Sequence, residues 1–241
     1  MSTESLEAVP APATRTLCID IGGTGIKAIV LGPDGKPLTA RGRVETPRPA
    51  TPRAVVRAIL GLAKAQGDFD RVSVGFPGVV RKGVVETAHN LVPSWIGVRL
   101  DRVLARELGK PVRAANDADV QGLGVVKGRG VELVITLGTG FGSALFVDGH
   151  LVYNLQLGHH AAWRNKTYEE ELGAAALKKA GRKKWNRRLS KAIRTLEQLF
   201  NYDALYIGGG NARKVSIDLP PRVKIVSNVA GLLGGIALWR R

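Results

Sequence analysis

The sequence predicts an α/β protein built as two lobes, and three observations carry that expectation. Leu17–Leu38, "LCIDIGGTGIKAIVLGPDGKPL", and Leu133–Val152, "LVITLGTGFGSALFVDGHLV", share one pattern: strand, glycine-rich turn, strand, Asp-Gly turn, strand. Each copy is followed by alternating helical and strand patterns, which favour an α/β architecture. The chain has 241 residues, of which 44% are hydrophobic, enough for one large domain or two smaller ones.

Taken in order, residues 1–14 read as a short, flexible, polar and proline-containing tail without the basic and apolar regions of a signal peptide. Residues 15–114 are expected to form a smaller N-terminal lobe. In its hairpin, glycines supply the tight turn and Asp34-Gly35 the next reversal. "TPRAVVRAILGLAKAQGD" predicts a helix with Thr51 near its N-cap and Pro52 at N1, followed by a strand and turn in "DRVSVGFPGVV". The split falls near Arg113–Asn116, and residues 115–241 form the larger lobe. There Asp148-Gly149 repeats the hairpin signal, helices are expected around Tyr168–Phe200, and "ALYIGGG" is a strand. The final "SNVAGLLGGIALWRR" has helical apolar spacing and is expected to cross back to the first half.

Composition narrows the function classes. No apolar run approaches the roughly 20 residues of a spanning helix, so no membrane segment is expected and the cytoplasm is the default location. A single cysteine, Cys18, excludes an intrachain disulfide and a thiolate zinc cage. The net charge of +16 points to a polyanionic partner, but charge alone does not choose among nucleic acid, anionic lipid and inorganic polyphosphate. Aromatic residues make up only 5% of the chain, which leaves few stacking platforms for a nucleic-acid module.

Two glycine loops are the candidate phosphate sites. Asp20-Ile21-Gly22-Gly23-Thr24-Gly25-Ile26-Lys27 joins two strands, and its backbone N–H groups are free to face an anion, with Asp20 able to hold Mg²⁺ through water. It lacks the Gly-Lys-Ser/Thr of a P-loop, and it joins strands instead of opening a helix as a dinucleotide fingerprint does. Gly138-Thr139-Gly140-Phe141-Gly142-Ser143 is the matching loop, and the two could clamp one phosphate chain across a cleft. In "RAANDADVQG", Asp117 is either a carboxylate facing a substrate hydroxyl or, like Asn116 and Asp119, a cap for the next helix.

The ordered set "DIGGTGIK", "PGVV", "AANDAD", "LGTGFGSALFVDG", "LGHH" and "YIGGGN" resembles the ROK sugar-kinase family, from Leu17 onward. "GVVETAHNLVPSWIG" and "GRKKWNRR" resemble its polyphosphate-dependent glucokinase branch. The resemblance implies an actin-like, hexokinase-type (ribonuclease H-like) two-lobed fold and transfer of a phosphoryl group from polyphosphate or ATP to glucose with Mg²⁺. A homodimer is also implied. It makes Asp117 the general base, and it assigns sugar contacts to Asn90, Asn116, His159 and an acid in "TYEEELG", Glu170 with Glu169 as the near alternative. Gln156 stands where the family pattern has Glu, so one sugar contact loses its charge and mannose becomes a possible acceptor. The phosphate contacts are Asp20, Gly22, Gly23, Thr24, Gly25, Lys27, Thr139, Gly140, Gly142, Gly209 and Gly210, with Asp20 as the metal ligand. The family's cysteine-rich segment after "GHH" is missing, so no zinc is expected.

The stretch "GRKKWNRR" is either a solvated helix face or a track for the donor. Family repressors carry a DNA-binding domain ahead of the first strand, and only the short tail precedes it here, which disfavours DNA. Lys183, Lys184, Arg187 and Arg188 are therefore expected to lead a polyphosphate chain to the glycine loops, with Trp185 packing beneath them.

Overall fold

The computed structural model describes residues 14–88, 91–227 and 233–240. The tail before Thr14 and the sugar-contact candidate Asn90 lie outside the described residues, as do Asn228–Leu232 of the final stretch. Strands β1 (Thr16–Ile21), β2 (Gly25–Leu31), β3 (Gly42–Glu45), β4 (Arg71–Phe76) and β7 (Val112–Asn116) form one sheet, in the order β3-β2-β1-β4-β7. Strands β8 (Val131–Leu137), β9 (Phe141–Val147), β10 (His150–Val152), β13 (Ala204–Gly208) and β14 (Val223–Ile225) form a second, in the order β10-β9-β8-β13-β14. In both sheets the first three strands are antiparallel neighbours and the last two are added in parallel. The repeat seen as a hairpin in the sequence therefore extends over a whole five-stranded sheet.

Alternation sorts the first sheet's two faces. Leu17, Ile19, Ile21, Ile26, Ala28, Val30, Val72, Val74 and Phe76 point to one side, where helices α1 (Pro52–Ala65) and α2 (Leu100–Leu108) cover them. Helix α1 buries Val55, Val56, Ile59, Leu62 and Ala63 at helical spacing, and Thr51 accepts the Ala54 N–H at its start. Burial of each large apolar chain contributes about 1.5–3 kcal/mol, so Ile59→Ala is a sufficient change to loosen the helix. On the other face Cys18, Ile29 and Leu31 pack against Ile236 of the short helix α6 (Gly234–Ala237), which also touches β4 and α3 (Asp117–Leu123). Trp239, just beyond it, donates from Nε1 to Ser73 Oγ at 2.8 Å, and the guanidinium groups of Arg71 and Arg113 stack on its ring at 5.0 and 4.8 Å from the centroid.

The second sheet is backed by α5 (Ala174–Phe200), whose Trp185, Leu189, Ala192, Ile193 and Leu196 pack on Leu133, Ile135 and Leu137. Gly181, with φ 74° and ψ 159°, breaks α5 near its start, a conformation that glycine adopts without steric cost. Short ribbons β5–β6 (Val80–Arg81, Val84–Val85) and β11–β12 (Ala161–Trp163, Lys166–Thr167) and helix α4 (Tyr168–Leu172) complete the elements used below. None of the described helices is long and apolar enough to cross a membrane.

The first copy departs from the sequence expectation in its third strand. Asp148 and Gly149, both at positive φ, turn β9 directly into β10, whereas after Asp34-Gly35 only a single bridge, Leu31 to Pro37, forms before β3 starts at Gly42. Pro37 has no N–H to give to a ladder, and the Val30 N–H is taken by Thr39 Oγ1 at 3.0 Å.

Candidate active site

Between the two sheets lies a cavity of about 230 Å³; a neighbouring one of about 10 Å³ holds no more than a water. Both glycine loops open into it. In the first, the Gly22 N–H closes on the Gly25 carbonyl at 3.1 Å; in the second, the Gly138 N–H closes on Gly140 at 3.1 Å. The turn at Gly209–Asn211 braces the second loop: the Asn211 N–H reaches the Leu137 carbonyl at 2.8 Å and its side-chain amide reaches Gly138 O at 3.0 Å. Gly209, at φ 87°, lies so close to the Leu137 backbone that no side chain fits there.

Asp117 begins α3 at the floor of this cavity. Asn116 takes the capping role that the sequence left open, its Oδ1 accepting the Ala118 and Asp119 N–H groups at 2.9 and 3.1 Å and its amide donating to Gly78 O at 3.1 Å. The cap leaves the Asp117 carboxylate facing the cavity, where it accepts the Ala118 N–H at 2.8 Å. Space for it comes from Gly75, where an added Cβ would stand 3.3 Å from Asp117 Cα. Burial, reinforced by the like charge of Asp20 and then of Asp119, outweighs the Ala118 hydrogen bond and pushes the Asp117 carboxyl up to about 7. Asp20 itself is held by Lys27 Nζ at 2.9 Å.

Most of the expected site residues line this one cavity: Asp20, Gly22, Gly23, Thr24, Gly25, Lys27, Asn116, Asp117, Thr139, Gly140, Gly142, Gln156, His159, Gly209 and Gly210. Two expectations need correction. Glu170 is not in the cavity: it is the N3 residue of a capping box, its carboxylate accepting the Thr167 N–H at 2.8 Å while Thr167 Oγ1 accepts the Glu170 N–H at 3.2 Å. Glu169 is the acid that faces inward, and its carboxylate accepts the Phe141 N–H at 3.2 Å and fills the space left by the missing side chain of Gly140. The Thr-x-x-Glu pattern at Thr167–Glu170 was the available signal.

Arg188 is the second. Its Nε lies 2.9 Å from Glu171 Oε2, with side-chain exposures of 19% and 2%, so it neutralises a buried carboxylate instead of joining a surface track. Trp163 Nε1 donates to the same carboxylate at 3.0 Å. Lys183, Lys184 and Arg187 are exposed, and Trp185 is fully buried with Nε1 donating to Leu172 O at 2.8 Å. Sequence reasoning missed Glu169's priority and also Arg41, Ser73, Gln121 and Gly235, all of which line the cavity.

The two sheets, the cleft between them and the paired glycine loops define a two-lobed α/β phosphotransferase of the actin-like, hexokinase type, and solved structures agree. An inorganic polyphosphate/ATP-glucomannokinase from Arthrobacter sp. strain KM superposes with a TM-score of 0.85 at 34% identity, covering 95% of this chain and all (100%) of that one. A ROK family glucokinase from Streptomyces griseus, in complex with glucose and AMPPNP, gives 0.78 at 20% identity over 93% of this chain and 98% of that one. Among sequences, a polyphosphate glucokinase of Mycobacterium tuberculosis is 33% identical over 90% of this chain and 88% of its own length, and one of Mycobacterium leprae is 34% identical over 91% and 73%. The ROK family model matches residues 16–168, and the chain belongs to the ROK family.

Proposed function

We propose that the chain is a polyphosphate-dependent glucokinase, transferring the terminal phosphoryl group of inorganic polyphosphate to the 6-hydroxyl of glucose, with ATP as a second donor. The observation that carries this reading is the Asp117 carboxylate, freed from capping, raised to about 7 and set between two glycine loops. A base with that pKa accepts a proton near neutral pH, where it is balanced between ionisation and basicity. Asp117 takes the hydroxyl proton as the sugar oxygen bonds to phosphorus, and the bond from that phosphorus to the donor's bridging oxygen breaks. The loop N–H groups and Lys27 face the charge that develops on the phosphoryl and leaving oxygens.

Gln156, His159 and Glu169 hold the sugar from the second lobe, and Gln156, an uncharged amide, is consistent with a looser grip that also accepts mannose. Asp20, which lines the cavity, suits a Mg²⁺ ion shared with the donor phosphate. When bound, Mg²⁺ supplies charge neutralisation to the donor. Lys183, Lys184 and Arg187, together with exposed Lys178 and Lys179, form the basic face that attracts the polyanion, in place of the four-residue track that included Arg188. Closure of the lobes excludes water as a competing acceptor. A cytoplasmic homodimer is the assembly and location that accord with this reading.

The test is formation of glucose 6-phosphate by the purified protein with Mg²⁺, comparing long-chain polyphosphate with ATP and using Asp117→Asn as control. Turnover with polyphosphate, lost by at least about a hundredfold in the control, is expected. Turnover with ATP alone removes the donor assignment, and no turnover on glucose or mannose removes the kinase assignment.

A further inference from the structure

One row of charges runs from the cavity to the edge of the first sheet. Paired residues on neighbouring strands share a face, and the ladder pairs Asp20 with Lys27 and Lys27 with Arg43. Asp20 is paired in turn with Gly75, the residue that makes room for Asp117. Arg43, Lys27, Asp20 and Asp117 therefore lie in a line across the sheet, from its β3 edge to the proposed base. Arg43 reaches over the first glycine loop: its Nη2 approaches the Thr24 carbonyl at 3.4 Å, and its guanidinium stands 2.8 Å from where a Cβ on Gly25 would be.

Two residues before Arg43, just ahead of β3, Arg41 lines the cavity itself. Both arginines are exposed, and among the described residues neither has an ion-pair partner, whereas Lys27 is paired with Asp20. Asp20 neutralises Lys27, and the charge of Arg43 beside it on the ladder is left to meet an anion from outside the protein. β3 is the edge strand, so the row ends at Arg43; Glu45, two residues further along the same strand, is paired with Gly25. An anionic chain that follows the row leaves the cavity past Arg41.

We infer that Arg41 and Arg43 bind the phosphates of the polyphosphate chain behind the one transferred, so that the donor exits over the β3 edge of the first sheet. The inference rests on the donor reading above. It gives the N-terminal lobe its own share in choosing a long chain, independent of the basic face on α5. A planar guanidinium suits this task because it can take two oxygens of one phosphate.

The experiment is steady-state kinetics with glucose and Mg²⁺, using long-chain polyphosphate, tripolyphosphate and ATP as donors. The double variant Arg41→Ala/Arg43→Ala is expected to raise KM for the long chain on the order of tenfold to a hundredfold, from the worth of charged hydrogen bonds. The rise for tripolyphosphate is expected to be smaller, with kcat and the KM for glucose retained. The salt slope of log KM should fall by roughly one to two, in step with two lost contacts. Arg41→Lys/Arg43→Lys should recover the salt slope but only part of the affinity. An unchanged KM for the long chain, in a protein whose wild type uses polyphosphate, overturns this inference alone, as does an equal rise for all three donors. A wild type that uses ATP but not polyphosphate overturns the donor reading and this inference together.

Discussion

Replacing Asp117 with Asn should stabilise the protein while stopping it. The carboxyl is raised from its ordinary 3.8 to about 7. In the unfolded chain it ionises near 4. Between those values the unfolded state releases a proton that the folded state keeps, so wild-type stability falls as pH rises, by 1.36 kcal/mol per pH unit. The loss is complete above about 7 and amounts to at most about 4 kcal/mol. An Asn side chain keeps an oxygen for the Ala118 N–H but carries no charge to desolvate beside Asp20. Thermal unfolding of both proteins should therefore coincide near pH 4 and diverge above it, with the Asp117→Asn variant melting higher by roughly 8–16 °C at pH 8. The same ionisation should appear as a rise of wild-type kcat/KM with pH through about 7, the ionised form being the active one. Equal stabilities at pH 8, or an advantage that does not change with pH, would refute the idea that burial and Asp20 load the base with free energy.

Three further outcomes separate the functional residues from their neighbours. Glu169→Ala should raise the KM for glucose on the order of tenfold or more in saturation kinetics, since a charged acceptor in the cavity is lost. Glu170→Ala should leave that KM unchanged and lower the urea midpoint only slightly, since it removes half of an exposed capping box. Arg188→Met, which strands the Glu171 carboxylate with Trp163 as its remaining partner, should cost about 3 kcal/mol and lower the melting temperature by roughly 6–12 °C, without altering the KM for polyphosphate in the folded protein.

The repeat and the glycine loops were legible because their signals are local: alternating apolar residues, and glycines where the chain must turn or come close to another backbone. The role of Asp117 was legible only in part. Whether it or Asn116 caps α3 depends on which side chain turns back to the Ala118 and Asp119 N–H groups. Arg188 failed because a cation on a helix is indistinguishable from its neighbours until the facing element is known, and Glu171 sits on another helix. Arg41 and Arg43 were passed over for a different reason. The third strand was expected directly after Asp34-Gly35, yet Pro37 and Thr39 delay pairing until Gly42, which brings the Arg-Gly-Arg segment alongside Lys27.

The packing of Trp239 on Ser73 also sets a timetable for synthesis. The two residues are 166 positions apart, yet the face of the first sheet that carries Cys18, Ile29 and Leu31 is covered only when the Trp239 segment docks. At roughly 5–20 residues per second, a ribosome needs about 8–33 s to make the intervening chain. Throughout that interval the first lobe waits with an apolar flank uncovered, available to chaperones. Asp117 has been made by then, but the flank beside it cannot close before Trp239 has been made and has left the ribosome.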